Sequence, residues 1–597
     1  MNKSFKVVFS KARSALMVVN EATSSIQAKG TKTVIAAAAA AMIAGGAVAA
    51  TTSIVKDAAT LKDGTAYNSY TSDKASKTDN DFGALYVDGR GATTAVSGSA
   101  VNLSFTNNTS SGKAGALALD EAILTLRDAQ FTNNSAAGWG GAVRLWGTSA
   151  RPSALELKTT RDLTYAGNKA GQGKTAVSGA TAFGARYEDM GGFAHLQGNS
   201  TLTLNAAANT TLTIGETGAA QTAGIDSITT SNGGNTLVIN GAGTVNLNGS
   251  LEGFVGAINV NGGTVNMATG FGSIDNDTQA SVNFQTANAS GATAGNVQSL
   301  LTVSSGATVN MGALTINRST TSGAAPQGGT QVGTQLKVED GGKLYVESIT
   351  LGTKEYKDKY QATSDEKLAS GSLTTTGYGA VDVASGAVAE VKKDVTVAAD
   401  TTFDKTGSSA FTVLGTLKTV AATSGAKAGV FNVSGGSVDV NTVANAGTTT
   451  VAAGAFFNVT GTGSVNSGTI SIAGTTTSQG AGTKAGSLTV AKGADFVNTG
   501  FISGSAETAS NKTTYTGDVI VAGTFTNYGT VDGKTVNGYI GANSLTVEEG
   551  GVLNTKITDS YAVAKTTVKG TFNLTELNSS VSGKKPIRRI SWCSPVR

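Results

Sequence analysis

Two stretches of the chain, FTNNTSSGKAGALAL from Phe105 to Leu119 and FTNNSAAGWGGAVRL from Phe131 to Leu145, align without a gap at a spacing of 26 residues. In each, the Phe precedes the Gly of a Gly-Ala pair by ten residues, at Gly115 and Gly141. Weaker relatives flank them: FGALYVDG at Phe82, YAGNKAGQG at Tyr165 and GGFAHLQG at Gly191. Further on the unit shortens, and GTVNL at Gly243 returns as GTVNM at Gly263, 20 residues later. A second pattern, Thr or Lys, Val, two variable residues, Gly, Ala or Gly, then an apolar position, recurs from Thr302, Lys337, Thr450 and Thr546. Self-similarity at periods of 20 to 50 residues is the mark of a repeat architecture.

Each unit alternates apolar and polar residues, which is the pattern of a short strand with one buried face. Gly, Asn and Ser interrupt the text every few residues, so tight turns rather than helices join the strands. A single unit of this size cannot bury its own apolar face. Stacked coil on coil, the strands form parallel sheets, the Val, Leu, Ile and Phe pile into an inner column, and Asn at equivalent turns, such as Asn107 over Asn133, can hydrogen-bond along the stack. The expected fold is all-β: a right-handed parallel β-helix, or solenoid, with the hand set by the usual crossover preference. At a rise of roughly 4.8 Å per coil, about 24 coils would make a rod on the order of 110 Å long.

Composition agrees with that reading. Of 597 residues 79 are Gly, 14% are charged and 6% are aromatic, and Cys593 is the only cysteine, which rules out a disulfide framework. The formal charge of +4 is uneven: each end carries +5, on Lys3, Lys6, Lys11, Arg13, Lys29 and Lys32 against Glu21, and on Lys584, Lys585, Arg588, Arg589 and Arg597. The body between them therefore stands at −6, which argues against nucleic acid as a partner.

From Val34 to Ala44 the run VIAAAAAAMIA is a short apolar core preceded by Lys29 and Lys32. Ala47 and Ala49 follow as an A-x-A site, with cleavage expected between Ala49 and Ala50. This is the order of a secretory signal peptide, and the core is too short and too broken by Gly45 and Gly46 for a transmembrane helix. The segment ahead of it, MNKSFKVVFSKARSALMVVNEA, resembles the extended signal peptide region of large proteins of the type V secretion pathway in Gram-negative bacteria. The matching residues are Met1, Asn2, Lys3, Phe5, Lys6, Val7, Val8, Phe9, Ala12, Arg13, Val18, Val19 and Glu21, with Phe9 standing where that family more often has Trp. The repeat residues Phe105, Asn108, Gly115, Phe131, Asn134, Gly140, Gly141 and Ala142 resemble the units of polymorphic outer-membrane proteins, and the later Thr-Val-x-x-Gly-Gly units look like passenger repeats of autotransporters.

The resemblance implies a helical extended signal peptide over 1–49 and a β-helix passenger over 81–580; the stretch 50–80 between them is polar and pattern-poor and reads as a flexible leader or cap. Its implied partners are the Sec export machinery and, where a barrel is present in the intact gene, the outer-membrane assembly machinery. Host or bacterial surface glycans or proteins follow as ligands of an adhesin.

Catalysis has thin support in the residues. His195 is the only histidine, so a Ser-His-Asp triad has one place to stand, and zinc sites built on His and Cys pairs are excluded. Alternation in GGFAHLQG puts Ala194 and Leu196 inward and Phe193 and His195 outward, toward solvent. Carboxylates such as Asp81, Asp88, Glu188 and Asp189 keep a β-helix polysaccharide lyase or hydrolase in view, but they read as turn or rim residues. No cofactor is implied.

Binding fits better. GTSARPSALELKTTRD, Gly147 to Asp162, and KEYKDKYQATSDEK, Lys354 to Lys367, interrupt the coil pattern as candidate contact loops, and Trp139 and Trp146 are candidate stacking platforms for sugars. The reading is a non-catalytic rod acting in adhesion, aggregation or as an antigen. A secreted carbohydrate-active enzyme is one alternative. A two-partner-secreted haemagglutinin-like exoprotein is the other, and the lack of any Pro before Pro152 speaks against its N-P-N-L motif.

The end of the chain, KKPIRRISWCSPVR from Lys584, breaks the grammar of the body. An autotransporter is expected to close with a membrane barrel of amphipathic strands. The shift is expected where a reading frame has changed, making 581–597 an aberrant basic tail. On that expectation the intact protein belongs at the cell surface or outer membrane, and the chain as written in the periplasm.

Overall fold

The computed structural model describes residues 5–10, 15–20, 53–55, 57–72, 82–93, 95–171, 191–216, 224–230, 234–251, 254, 256–271, 299–317, 334–352, 378–424, 426–474, 484–504, 507–509, 512–514, 516–557 and 561–577. The chain divides into two compact units, Met1–Ala50 and Thr51–Arg597. In the first, Phe5–Ser10 and Ala15–Asn20 pair as an antiparallel hairpin, Phe5 opposite Asn20 and Ser10 opposite Ala15. This departs from the helix expected there, and the run of Val and Phe residues in both segments favours the extended backbone. The apolar run and the Ala49–Ala50 cleavage site lie outside the described residues.

The second unit is a parallel β-helix. Among the described residues its antiparallel ladders are two hairpins, Glu507–Ala509 with Lys512–Thr514 and Tyr528–Val531 with Lys534–Asn537, and isolated antiparallel bridges join Lys169 to Ile225 and Thr423 to Ala426; its other strand ladders are parallel. Coils begin at Ser53–Val55, which pairs in register with Leu85–Val87, so the sheets start well ahead of residue 81. A short 3-10 turn, Ala58–Thr60, follows, capped by the Asp57 carboxylate accepting from the Ala59 N–H at 3.0 Å. The first sheet then climbs through Leu85–Asp88, Leu117–Asp120, Val143–Gly147, Ala194–Gly198 and Ile228–Thr230. A second face climbs through Val96–Val101, Ala122–Arg127, Ser153–Thr159 and Ser200–Ala206. Within GTSARPSALELKTTRD, Ser153–Thr159 is thus a rung of this second face rather than part of an inserted loop, and Lys354–Lys367 falls outside the described residues.

Register puts like over like. Phe105 pairs with Phe131, and their rings stack 4.8 Å apart at 8°. Tyr67 stacks on Phe105 at 5.1 Å and 8°, and Tyr165 and Phe193 meet Phe131 edge-on. Thr244–Met267 shows the same rule, because TVNL and TVNM pair residue for residue and TVNM at Thr308 forms the next rung. The Thr-Val-x-x-Gly repeats are one turn used repeatedly: Ala307 N–H donates to Ser304 O, Gly342 to Glu339, Ala455 to Ala452 and Gly551 to Glu548, all within 3.1 Å. Each holds its Gly in the left-handed region, φ +77° at Gly306, where a type II turn favours Gly.

The hydrogen-bonded ladder runs one residue from where it was expected. Asn107 and Asn133 are exposed and turn the corner at φ 56° and 54°, a conformation Asn tolerates. Their successors Asn108 and Asn134 are buried and form the ladder with Asn168. The Asn108 amide donates to Asn134 Oδ1 at 2.8 Å, Asn134 to Asn168 Oδ1 at 2.9 Å, and Asn168 to the Asp226 carboxylate at 2.9 Å. A second buried ladder, Asn445, Asn466, Asn498 and Asn527, repeats the device with spacings of 2.6 to 2.7 Å. Replacing Asn134 with Ala takes the side-chain acceptor from the Asn108 N–H and the side-chain donor from the Phe105 carbonyl, while Asn168 Oδ1 keeps the Asn134 backbone N–H at 3.2 Å. The expected cost is roughly 1–3 kcal/mol for each group left unpaired, read from urea denaturation of the exported protein.

One rung carries a lysine inward. Lys405 lies between Val381 and Val433 in the stack and is fully buried, its ammonium donating to the carbonyls of Gly407, Ser409 and Gly435 at 3.0, 2.6 and 2.7 Å. Burial lowers its pKa from 10.5 to about 8, against the opposing pull of Asp382 and Asp439. Between these values the unfolded chain holds a proton that the folded one has released, so stability rises with pH. The expected gain between pH 8 and 10 is on the order of 2 kcal/mol, measured by chemical denaturation, and K405M removes the slope.

Candidate binding face

The first sheet owes its shape to the Gly-Gly-Ala corners. A Cβ at Gly115 would stand 2.2 Å from the Gly141 carbonyl oxygen, and one at Gly141 would stand 2.2 Å from that of Gly192. Gly140, at φ +72°, makes the turn into the strand, and Ala142 is buried in the core. Closely stacked corners bring the residues just before each strand over the outer face of the sheet. Phe82 and Ala114 cover Tyr86 and Ala118 in a small apolar cluster, and Trp139 folds onto His195.

Two outward rows result. The first runs Tyr86, Ala118, Arg144, His195, Thr229 and is buried throughout; the second runs Asp88, Asp120, Trp146, Gln197. His195 is therefore not solvent-facing, as alternation alone suggests. Its ring stacks on Trp139 at 5.5 Å and 13°, and Nδ1 meets the Thr229 hydroxyl at 2.9 Å. Burial, with Arg144 and Lys113 nearby, lowers its pKa to about 3, so it is neutral at physiological pH. Phe193 likewise turns inward, packing on Tyr165 at 5.3 Å, because the corner places it before the strand's alternation begins.

An ion network ties the rows together. Asp120 accepts from Arg144 at 2.6 Å and from the Tyr86 hydroxyl at 3.1 Å, with Arg90 at 3.7 Å. Arg90 also binds Asp88 at 2.9 Å. Burial pushes the Asp120 carboxyl above its ordinary value while Arg144, Tyr86 and Arg90 pull it back. Arg144 spans onward to Gln197 Oε1 at 3.2 Å. Asp88 thus belongs to an arginine pair, while Asp81, Glu188 and Asp189 lie outside the described residues. Trp139 is not a free platform, since Lys113 lies over its ring at 5.0 Å and His195 stacks on it. Trp146 is half-buried, between Asp120 and Gln197 in its row.

The pairing of Arg144 with Asp120 and Gln197 left no trace in the sequence, since the partners lie 24 and 53 residues away. The hairpin Tyr528–Asn537 did leave one, the Asp532-Gly533 pair with both residues at positive φ. Asn527, last Asn of the second ladder, bonds Gly538 at the hairpin's base.

Residues 1–50 match the family model of the Extended Signal Peptide of Type V secretion system. The match supports Sec-dependent export of an autotransporter-type protein, and the parallel β-helix behind it fits a passenger. Comparison with curated proteins and with solved structures gives no match.

Removing Arg144 leaves the buried Asp120 carboxylate with only the more distant Arg90, at 3.7 Å, and the Tyr86 hydroxyl. R144M is expected to lose about 3–5 kcal/mol in a denaturation titration, and D120N on that background to recover part of it.

Proposed function

We propose that this chain is the passenger of a type V exported protein, a non-catalytic β-helix that works at the cell surface in adhesion, aggregation or as an antigen. The observation that carries the reading is the order of parts: an extended type V signal over 1–50, then parallel coils from Ser53 to Leu577. The chemistry of the coils supports the non-catalytic half. His195 is buried and neutral, and Asp88 and Asp120 are held by arginines rather than facing each other across a groove. Among the described residues, His, Cys, Asp and Glu form no cluster suited to a metal ion.

Expressed in a Gram-negative host, the chain is expected to be cut between Ala49 and Ala50, as read by N-terminal sequencing. The exported protein is expected to attach to host cells, matrix proteins or immobilised glycans without altering them. Glycan cleavage with no attachment would replace the adhesion reading with the enzyme one.

A further inference from the structure

The geometry points to a neutral-saccharide subsite on the outer face of the first sheet, with Trp146 as its platform and Gln197 as its donor. This deepens the adhesion reading and rests on it. Trp146 stands one rung from Asp120 on one side and one rung from Gln197 on the other. A single guanidinium, Arg144, reaches both neighbours, at 2.6 and 3.2 Å. It locks the groups that flank the indole, the preorganisation a small-molecule site requires.

Arg144 also decides which atoms face outward. A guanidinium only donates, so the Gln197 amide must present its oxygen to Arg144, and its NH2 group is left free of that bond, one rung from Trp146. Gln197 and Trp146 are half-buried, Arg144 engages the Gln197 oxygen only, and neither side-chain nitrogen is a buried donor without a partner. Arg144 Nε, by contrast, is buried and lies out of a ligand's reach. The acceptors are already spent: both Asp120 oxygens are taken by Arg144 and Tyr86.

The site therefore offers a half-buried indole with the Gln197 NH2 group one rung away. A pyranose matches it, laying its C–H face on the indole while its hydroxyl oxygens accept at the rim. Charge selects the neutral kind. Arg90 and Arg144 are each matched by a carboxylate, Asp88 and Asp120, so an anionic sugar finds no unpaired cation to repay its desolvation.

The test is an array of neutral, sialylated and sulfated oligosaccharides probed with the purified exported protein, followed by titration of the best neutral hit. Neutral sugars are expected to bind. W146A is expected to weaken binding at least tenfold. Q197E keeps the acceptor that Arg144 needs but removes the NH2 donors, and is expected to weaken binding about fivefold with no loss of thermal stability. W139F is expected to bind as the wild type does. Binding of charged sugars alone, of no sugar, or with W146A and Q197E within twofold of wild type would overturn the assignment. Cell attachment by the same proteins separates the two readings: attachment that survives in W146A without sugar binding leaves adhesion standing and removes this site, whereas a wild type that attaches to nothing removes adhesion itself.

Discussion

Parallel stacking in register places each side chain over its counterpart one coil away, and the rest of this protein follows from that constraint. A residue on an inward row must satisfy neighbours above and below of its own kind. Phenylalanine does so by ring stacking, as Phe105 and Phe131 do, and Val and Leu do so by dispersion. Asn does so by being donor and acceptor at once, which is why buried Asn columns recur where the chain turns. Glycine does so by having nothing to clash, as at Gly115 and Gly141, where another side chain would strike the carbonyl of the next coil.

Residues that break the rule need local compensation. Lys405 enters the core between two valines and is held by three backbone carbonyls, a solution that depends on the turn at Gly407 and Ser409 rather than on an opposite charge. Arg144 breaks it on the outer face, and there the compensation is a network of Asp120, Tyr86 and Gln197 contributed by separate coils. Asp226 closes the first Asn column as a carboxylate that accepts from Asn168 and from the Gly167 N–H, so the ladder ends on a group with no donor left to satisfy. Arg144 and Asp226 lie in the coils up to about residue 230, where the outer row from Tyr86 to Thr229 is buried, and Lys405 lies well beyond them.

Much of the fold was legible because its signals are local and repeated. The gapless pair at Phe105 and Phe131 predicted two rungs of one column, and the Thr-Val-x-x-Gly runs predicted a common turn. The Asn reading was off by one residue because two adjacent Asn compete for two jobs, corner and ladder. Backbone φ decides between them, with the first taking the left-handed position and the second the interior. The outward placement of His195 failed for another reason. Alternation tells which face of a sheet a residue occupies, but not whether a corner from the preceding coil folds over that face.

By itself the sequence determined the period of the coils, the alternation that makes strands, the glycines that let coils close and the type V export signal at the N-terminus. These are properties of a residue and its near neighbours, or of one coil copied to the next. Only the tertiary structure decided which coils are adjacent across insertions of unequal length, and with that the burial of His195, the bridging by Arg144 and the orientation of the Gln197 amide. The reason is the variable spacing between rungs: 26 residues separate Leu117 from Val143, but 51 separate Val143 from Ala194, and contacts across such gaps are set by stacking rather than by sequence distance.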